Sequence, residues 1–500
     1  MKNSQTKILS KKNLLIFAFL LNVAIIVTAS FFHYFWVYPV VGAVFALAMV
    51  PAIAANNFVT HKMSTLLIMF AFPVFGYSLY MLTKSRSKWL YGRRTWQNLN
   101  YNSLQYVMDN DTSLDILKKH DPEAYKISYY YSNYFTATLY QNSSAKYISG
   151  AQNYYDSVFA ELKDAKKYIF IDAYKIKEGE VWNTLFEILK QKAREGVEIK
   201  ILYNPKTNKH SFEDKFAYKK LPNFKIEAVP FRSSLYGFSS HRKMFIIDGI
   251  VGFVGGANIT DSNINLTAEQ GNLRQSGIKI VGDAVWNMTV LFLNSWQFAR
   301  SKNDVNIENY KPETLPKSRP NEFVQPLQIS PLANRNEVRD MYLNLIHNAQ
   351  DHISIVTSCV LIDSVVFKAL SDAVKSGVSV NLYVSNFNDA YNQNIYGRGY
   401  YESLIRAGIA VLENSSGVNR AKIVSVDGKT ALIGGSNLDV RKLEAQFDCS
   451  ILVHSKDFVK DVDKDILAIA QGSKQLSLKD LKEDTGWNRF KGKIYRFFNM

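Results

Sequence analysis

Cysteine is nearly absent: Cys359 and Cys449 are the two in 500 residues. That excludes a disulfide framework and a cysteine-built metal cluster, and a cytosol-facing globular part is the simplest reading. Acidic side chains are also short, 44 against 60 lysines and arginines, which leaves a net charge of +16. The excess excludes a surface that repels phosphate and calls for nucleic acid, anionic lipid or another phosphate-rich partner. Charge is missing altogether from residues 14–32, 36–55 and 63–82, and these apolar runs turn the choice towards lipid and away from nucleic acid. A chain of 500 residues exceeds a single core and predicts two or three packed units.

Each of the three apolar runs is close to the roughly 20 residues that cross a bilayer. Phe31, Phe32, Tyr34, Phe35, Trp36 and Tyr38 lie between the first two, as aromatics do at a membrane interface. The expectation is a multi-pass transmembrane region over 1–84, and two further runs after the first argue against a cleaved signal peptide. Lys2, Lys7, Lys11 and Lys12 precede the first run, while Lys84, Arg86, Lys88, Arg93 and Arg94 follow the third. Three full crossings would place these clusters on opposite sides, so either one run does not cross or one cluster is translocated.

A helical connector is expected over 85–144, and then a pattern occurs twice. Asp164-Ala-Lys-Lys167 leads into the apolar strand 168–172, the amphipathic helix 182–194, Gly196 and the strand 197–202. Ala349-Gln-Asp-His352 leads likewise into 353–357, a helix over 364–375, Gly377 and the strand 378–383. Strands alternating with helices predict α/β units with mixed sheets, and the recurrence predicts an internal duplication. The halves are expected at 145–301 and 332–470, joined by a proline-containing linker over 302–331. A basic aromatic tail follows at 471–500. Within it, Trp487 to Phe498 interleaves aromatic and basic residues suited to a headgroup layer.

The repeat carries a second, sharper signal. His241-Arg-Lys243, four residues, Asp248-Gly249 and then Gly255-Gly256-Ala-Asn258 in the first half matches Arg420-Ala-Lys422, Asp427-Gly428 and Gly434-Gly435-Ser-Asn437 in the second. Lysine, aspartate, both glycines and asparagine each recur at an offset of 179 residues. On these residues the chain resembles the phospholipase D superfamily, whose members carry a His-x-Lys, four residues, Asp pattern in each half. Lys62 to Tyr80 with Pro73 and Gly76, Lys192 to Val197 and Tyr400 to Gly408 narrow the resemblance to the bacterial cardiolipin synthases.

The resemblance implies two α/β units packed about a pseudo-twofold, with one active site at their interface that needs no metal or other cofactor. It implies His241 as nucleophile, and Lys243, Lys422, Asn258 and Asn437 as a phosphate cradle. Asp248 and Asp427, part of the same catalytic motif, are expected to brace strand and loop. These residue types suit phosphodiester exchange, which needs a nucleophile for phosphorus, cations for the equatorial oxygens and a proton for the leaving alkoxide. The implied partners are the anionic phospholipids phosphatidylglycerol and cardiolipin at the cell membrane, with the catalytic part cytoplasmic.

Two departures fall on the proton-handling groups. Arg420 stands where the second histidine belongs, and a guanidinium exchanges no proton near neutral pH, although it still binds phosphate. The carboxylate that orients each histidine falls about 30 residues downstream. That position reads Gln275 in the first half and Asp448 in the second. Within each half, this pairs His241 with a neutral amide and Arg420 with Asp448 as a charge-assisted replacement. Thr357-Ser-Cys359-Val is a further departure, where the family often has Thr-Pro-Tyr-Phe. The expected reaction is phosphatidyl transfer between two phosphatidylglycerol molecules, giving cardiolipin and glycerol through a phosphohistidine. The alternative is a catalytically impaired homologue that binds anionic phospholipid or regulates an active synthase.

Overall fold

Strand by strand, the second half of the chain repeats the first. The computed structural model describes residues 11–482 except 35, 55–61, 84–85, 108–110, 136, 206, 209–225, 232–238, 268–272, 314–321, 334–336, 359, 386–392, 415–416, 436 and 440–445. Two compact units are present: the chain up to Tyr91, and Gly92–Lys493.

In the first unit, α1 (Lys11–Phe31) and α2 (Val37–Ala54) follow the first two apolar runs, and the third becomes α3 (Lys62–Ala71) and α4 (Pro73–Thr83). Three uninterrupted crossings are therefore not what the structure holds. Proline at 73 lacks the N–H that would bond back four residues, so the third run breaks at Phe72. The pieces have 10 and 11 residues, about 15–17 Å each, against an apolar layer of about 30 Å. Among the described residues no helix is long and apolar enough to cross a membrane.

The second unit opens with the expected helical connector, α5 (Arg86–Ser103, entering from the first unit), α6 (Asp111–His120) and α7 (Pro122–Phe135). The first repeat follows as β1 (Ser143–Ser149), α8 (Ala151–Lys163), β2 (Tyr168–Ala173), α9 (Glu180–Arg194), β3 (Glu198–Tyr203) and β4 (Ile226–Pro230). It continues with β5 (Ser239–Ser240), β6 (Lys243–Ile247), β7 (Val251–Gly255), β8 (Leu273–Arg274), β9 (Ser276–Gly282) and α10 (Asp283–Arg300). The second repeat is β10 (Phe323–Ile329), α11 (Glu337–Asn348), β11 (His352–Val356), α12 (Ser364–Lys375), β12 (Ser379–Ser385), α13 (Gln393–Arg406) and β13 (Ala410–Asn414). It closes with β14 (Val418–Asn419), β15 (Ile423–Val426), β16 (Thr430–Gly434), β17 (Gln446–His454), α14 (Lys456–Gln471) and β18 (Ser473–Gln475).

One sheet runs β1-β9-β7-β6-β2-β3-β4 and the other β10-β17-β16-β15-β11-β12-β13, extended by β18. The order is the same position for position, and in both sheets three parallel strands sit beside antiparallel ones. Two boundaries move as a result. The second half begins at β10, inside the expected linker, and extends past 470 to β18. Pro326 masked the strand in the sequence, but β10 lies at the sheet edge, where a missing N–H is tolerated.

The local sequence explains the elements. On α9, Val181, Trp182, Leu185, Ile188, Leu189 and Ala193 are buried, the three-and-four spacing of one apolar helix face. Beneath them lie Ile169, Ile171, Ile199, Ile201 and Phe245 of the sheet. α12 is capped by Asp363, whose side chain accepts from the Val366 N–H at 2.9 Å. Both helices hand over to a strand through a glycine at positive φ, Gly196 and Gly377. α10 is buried on nearly every side, from Ala284 to Phe298, packing against strands of the first sheet and against β10.

The two sheets meet through β7, β9, β16 and β17. Two short arms then cross between the halves. β5 of the first half pairs with the start of β17, and β14 of the second pairs with β8.

Candidate active site

The crossed arms decide which side chains meet. At the end of β5, the His241 N–H donates to the Phe447 carbonyl at 2.8 Å, and after β14 the Arg420 N–H donates to the Arg274 carbonyl at 2.8 Å. Each motif residue is thereby tied to the strand of the opposite half, one residue before the position of the orienting group. Asp448 stands against His241, its Oδ2 lying 3.7 Å from the imidazole Nδ1. The pairing expected from the sequence, Asp448 with Arg420 and Gln275 with His241, is corrected: the retained histidine keeps its carboxylate. Linear order suggested a pairing within each half, whereas the arms are exchanged.

Glycine makes room for this approach. A Cβ at Gly435 would overlap the Asp448 carboxylate. At Gly256 a Cβ would come within 3.2 Å of Gln275 Oε1 and 3.3 Å of the Arg420 carbonyl, so Gln275 occupies the matching place beside Arg420. The Gln275 amide donates to Asn263 Oδ1, while its own oxygen is buried without a partner.

Around His241 the site is crowded and cationic. The imidazole side chain is 15 % exposed and packs on the Tyr174 ring, centroids 4.4 Å apart. Lys243 Nζ lies 3.2 Å from Nδ1, donates to the His241 carbonyl at 2.8 Å and sits over the Tyr174 ring. Burial, with the ammonium charges of Lys243 and Lys422, holds the imidazole well below its ordinary pKa, outweighing Asp448. Burial alone would raise the Asp448 carboxyl, but the contact with His241 and the charges of Lys422 and Lys243 bring it below the usual value. A neutral imidazole beside an ionised carboxylate is the outcome.

The β6–β7 and β15–β16 hairpins return Asn258 and Asn437 to the end of the sheet where Lys243 and Lys422 begin. Asn258 Oδ1 is buried without a partner. Asn437 Oδ1 accepts from Ser358 Oγ at 3.3 Å, and Lys422 Nζ donates to the Gly435 carbonyl.

Asp248 and Asp427 belong to the other end of these strands. Asp248 accepts from the N–H groups of Lys166, Lys167 and Tyr168 at 2.7–2.8 Å. Asp427 accepts from Gln350, Asp351 and His352 at 2.9 Å. With Gly249 and Gly428 they form positive-φ pairs at the hairpin tips, the turn that suits twisted strands. They are braces of the fold and not members of the site.

One network went unread in the sequence. Arg242, 2 % exposed, donates to Ser295 Oγ at 2.6 Å, faces Asp172 at 3.5 Å and reaches the Asp448 carbonyl at 3.4 Å. Its guanidinium lies over Trp96 and Phe447. Burial pushes the Asp172 carboxyl up to about 6, with Arg242 opposing. The second half carries Ala421 and Val356 at the equivalent places. Reading the two halves against each other would have exposed this pair, since an aspartate inside an apolar strand is unusual. Cys359 and the tail at Trp487 to Phe498 lie outside the described residues. Among the described residues no cluster of three metal-ligating side chains occurs.

The family model described as cardiolipin synthase, PLD-like domain, matches residues 158–280 and 342–469, half of the chain. The chain belongs to this family. A cardiolipin synthase of Alkalihalophilus pseudofirmus is 25 % identical over 497 residues, covering 96 % of this chain and 97 % of that protein. An uncharacterized protein of Streptococcus mutans is 27 % identical over 429 residues, covering 84 % and 92 %. Among solved structures, a phosphatidylserine synthase of Haemophilus influenzae shares the fold, with a TM-score of 0.56 at 17 % identity over 74 % of this chain and 96 % of that one.

Proposed function

We propose that the chain is a phosphatidyltransferase of the cardiolipin synthase type, working from one complete half-site. The observation that carries this reading is the approach of Asp448 to His241 across the two halves. The carboxylate stabilises the imidazolium that attack creates. Attack uses the Nε2 lone pair of the tautomer protonated on Nδ1. Because the imidazole is held neutral, it attacks without first losing a proton.

His241 Nε2 attacks the phosphorus of a phosphatidylglycerol, and the bond to the headgroup glycerol breaks. A phosphohistidine remains, and the hydroxyl of a second phosphatidylglycerol then displaces His241 to give cardiolipin. Lys243, Lys422, Asn258, Asn437 and Arg420 hold the phosphate oxygens and offset the charge that develops on them. Protons pass to and from water, since Arg420 stands where the second motif imidazole would be. Losing such a group typically costs about 10² to 10⁴ in rate, which slows transfer without abolishing it. The lipid-facing position of the protein at the cell membrane, catalytic part towards the cytoplasm, is part of the same proposal. Supporting it are the exposed apolar side chains Ile16, Phe17, Leu20, Val27 and Phe31 of α1 and Val40, Val44 and Leu47 of α2.

The test is lipid analysis of a cardiolipin-free bacterial host expressing the chain or its His241→Ala variant. Cardiolipin from the parent that vanishes with His241→Ala is the expected result. A well-expressed parent that makes none overturns the synthase reading. It would leave the second reading, a homologue that binds anionic phospholipid or regulates an active synthase, which Arg420 and Gln275 favour.

A further inference from the structure

The half-site that departs from its twin has changed as a pair. Arg420 replaces the imidazole that would protonate a leaving alkoxide, and the exchanged arms put Gln275 beside the Arg420 backbone. A carboxylate at 275 would compete with a ligand phosphate for the guanidinium, and an amide does not. The complete half keeps His241 with Asp448 at 3.7 Å and both lysines. Phosphoryl attack is thus preserved, while proton donation is exchanged for a fixed positive charge.

Such a site is matched to one kind of donor. An alkoxide, the conjugate base of a group about as weakly acidic as water (pKa roughly 15.7), needs a proton to leave. A phosphate monoester, with a second pKa of about 6, leaves as a stable anion and needs a cation instead. Resting on the phosphatidyltransferase reading above, we propose that the favoured donor is a phosphoanhydride lipid, a nucleoside diphosphate diacylglycerol, with Arg420 binding the departing nucleoside monophosphate.

The step balances without a second imidazole. His241 Nε2 forms the bond to the phosphatidyl phosphorus, and the bond from that phosphorus to the bridging anhydride oxygen breaks. Both electrons stay with the oxygen, so the nucleoside monophosphate departs as a dianion against Arg420. The acceptor hydroxyl next bonds to phosphorus as the phosphorus–nitrogen bond breaks. Its proton goes to the monophosphate, whose pKa near 6 suits it as a base at neutral pH. His241 returns to the neutral form held by its surroundings. With a phosphatidylglycerol acceptor the lipid product is the same; only the donor and the released group differ.

The experiment uses the purified full-length chain in mixed micelles with phosphatidylglycerol as acceptor. The donor is either labelled cytidine diphosphate diacylglycerol or labelled phosphatidylglycerol. The parent chain is expected to use the anhydride donor at least about 100-fold faster, matching the lower end of the cost of a missing acid. Arg420→His with Gln275→Asp should narrow that ratio at least about tenfold by raising the phosphatidylglycerol rate. Arg420→Gln should slow both donors, and the anhydride donor at least about tenfold more than phosphatidylglycerol. Donors used within about threefold of each other by the parent, or a ratio unmoved by both variants, would overturn the donor assignment. The transferase reading would then still stand, provided that His241→Ala abolishes turnover. Turnover of neither donor by the folded parent overturns both.

Discussion

The two halves share a strand order, a hairpin brace and a glycine pair, yet they surround their motif residues with different chemistry. Beside His241 stand a carboxylate from the opposite half and, beneath it, the buried Arg242–Asp172 pair. Beside Arg420 stands Gln275, and the places equivalent to Arg242 and Asp172 hold Ala421 and Val356, both fully buried. Each ionic support survives where a histidine survives and is absent where it is gone. Buried charges are costly unless paired, so such a network is expected to persist where it holds something in place. The difference teaches that the site of this protein is best divided into its complementary pairs, each drawn from both halves.

The comparison breaks most severely at Asp448. Asp448→Asn should lower kcat for lipid transfer about 10² to 10⁴-fold by stabilising the imidazolium poorly. Gln275→Ala should change it less than about tenfold, and steady-state assays of the two purified variants check the contrast. Equal losses would mean that the exchange of partners has no catalytic meaning.

Next in size is the buried pair. Arg242→Ala should destabilise the full chain by about 3–5 kcal/mol, because it leaves Asp172 buried without its partner. Adding Asp172→Val, which copies Ala421 and Val356 into the first half, should recover much of that loss. Denaturant unfolding of the parent, single and double variants measures it. A double variant no more stable than Arg242→Ala would show that the cavity, not the stranded charge, sets the cost.

A smaller effect sharpens the contrast from the other side. His454 lies at the end of β17, where the first half has Val281, and its ring bonds Ser128 and Thr430 at 2.8 Å each. Burial holds its pKa down to about 4, although Asp121 opposes this. The unfolded chain therefore takes up the proton first, near the ordinary value of 6.5, and stability should fall as pH drops from about 6.5 to about 4. The loss should be a few kcal/mol at most and smaller in His454→Gln, as denaturant midpoints across that range will show.

The smallest expected change is in the acid limb of activity. On the proposed mechanism His241 attacks in its neutral form, and burial, Lys243 and Lys422 all hold its pKa down. Lys243→Met removes one of these causes, so the residual activity should fall off at a higher pH than in the parent. A pH–rate profile of the two proteins reads the shift, and a limb that stays in place or moves down contradicts the electrostatic account.

Much of this architecture was legible before any coordinates. The helix over 364–375 appears with the same limits as α12, and the two hairpin aspartates were read as braces, which is how they bond. Local pattern carries such information, because a helix face, a cap and a turn each depend on neighbours a few residues away. β10 was missed because proline in a strand reads as linker until an edge position is known. Arg242 was missed because one arginine in a basic chain carries no signal until it is set against Ala421 in the other half.

By itself the sequence determined that the fold is duplicated, that the motif's lysine, glycine pair and asparagine occur in both halves and that arginine stands at one of the two histidine positions. These follow from periodicity and from recurrence at one offset, which need no distance information. Only the tertiary structure decided which orienting group belongs to which motif, since β5 and β14 each cross to pair with a strand of the other half. Hydrogen bonds between strands join residues some 200 and 150 positions apart, His241 to Phe447 and Arg420 to Arg274. No pattern along the chain specifies a contact of that range, and the chemistry of the site turns on it.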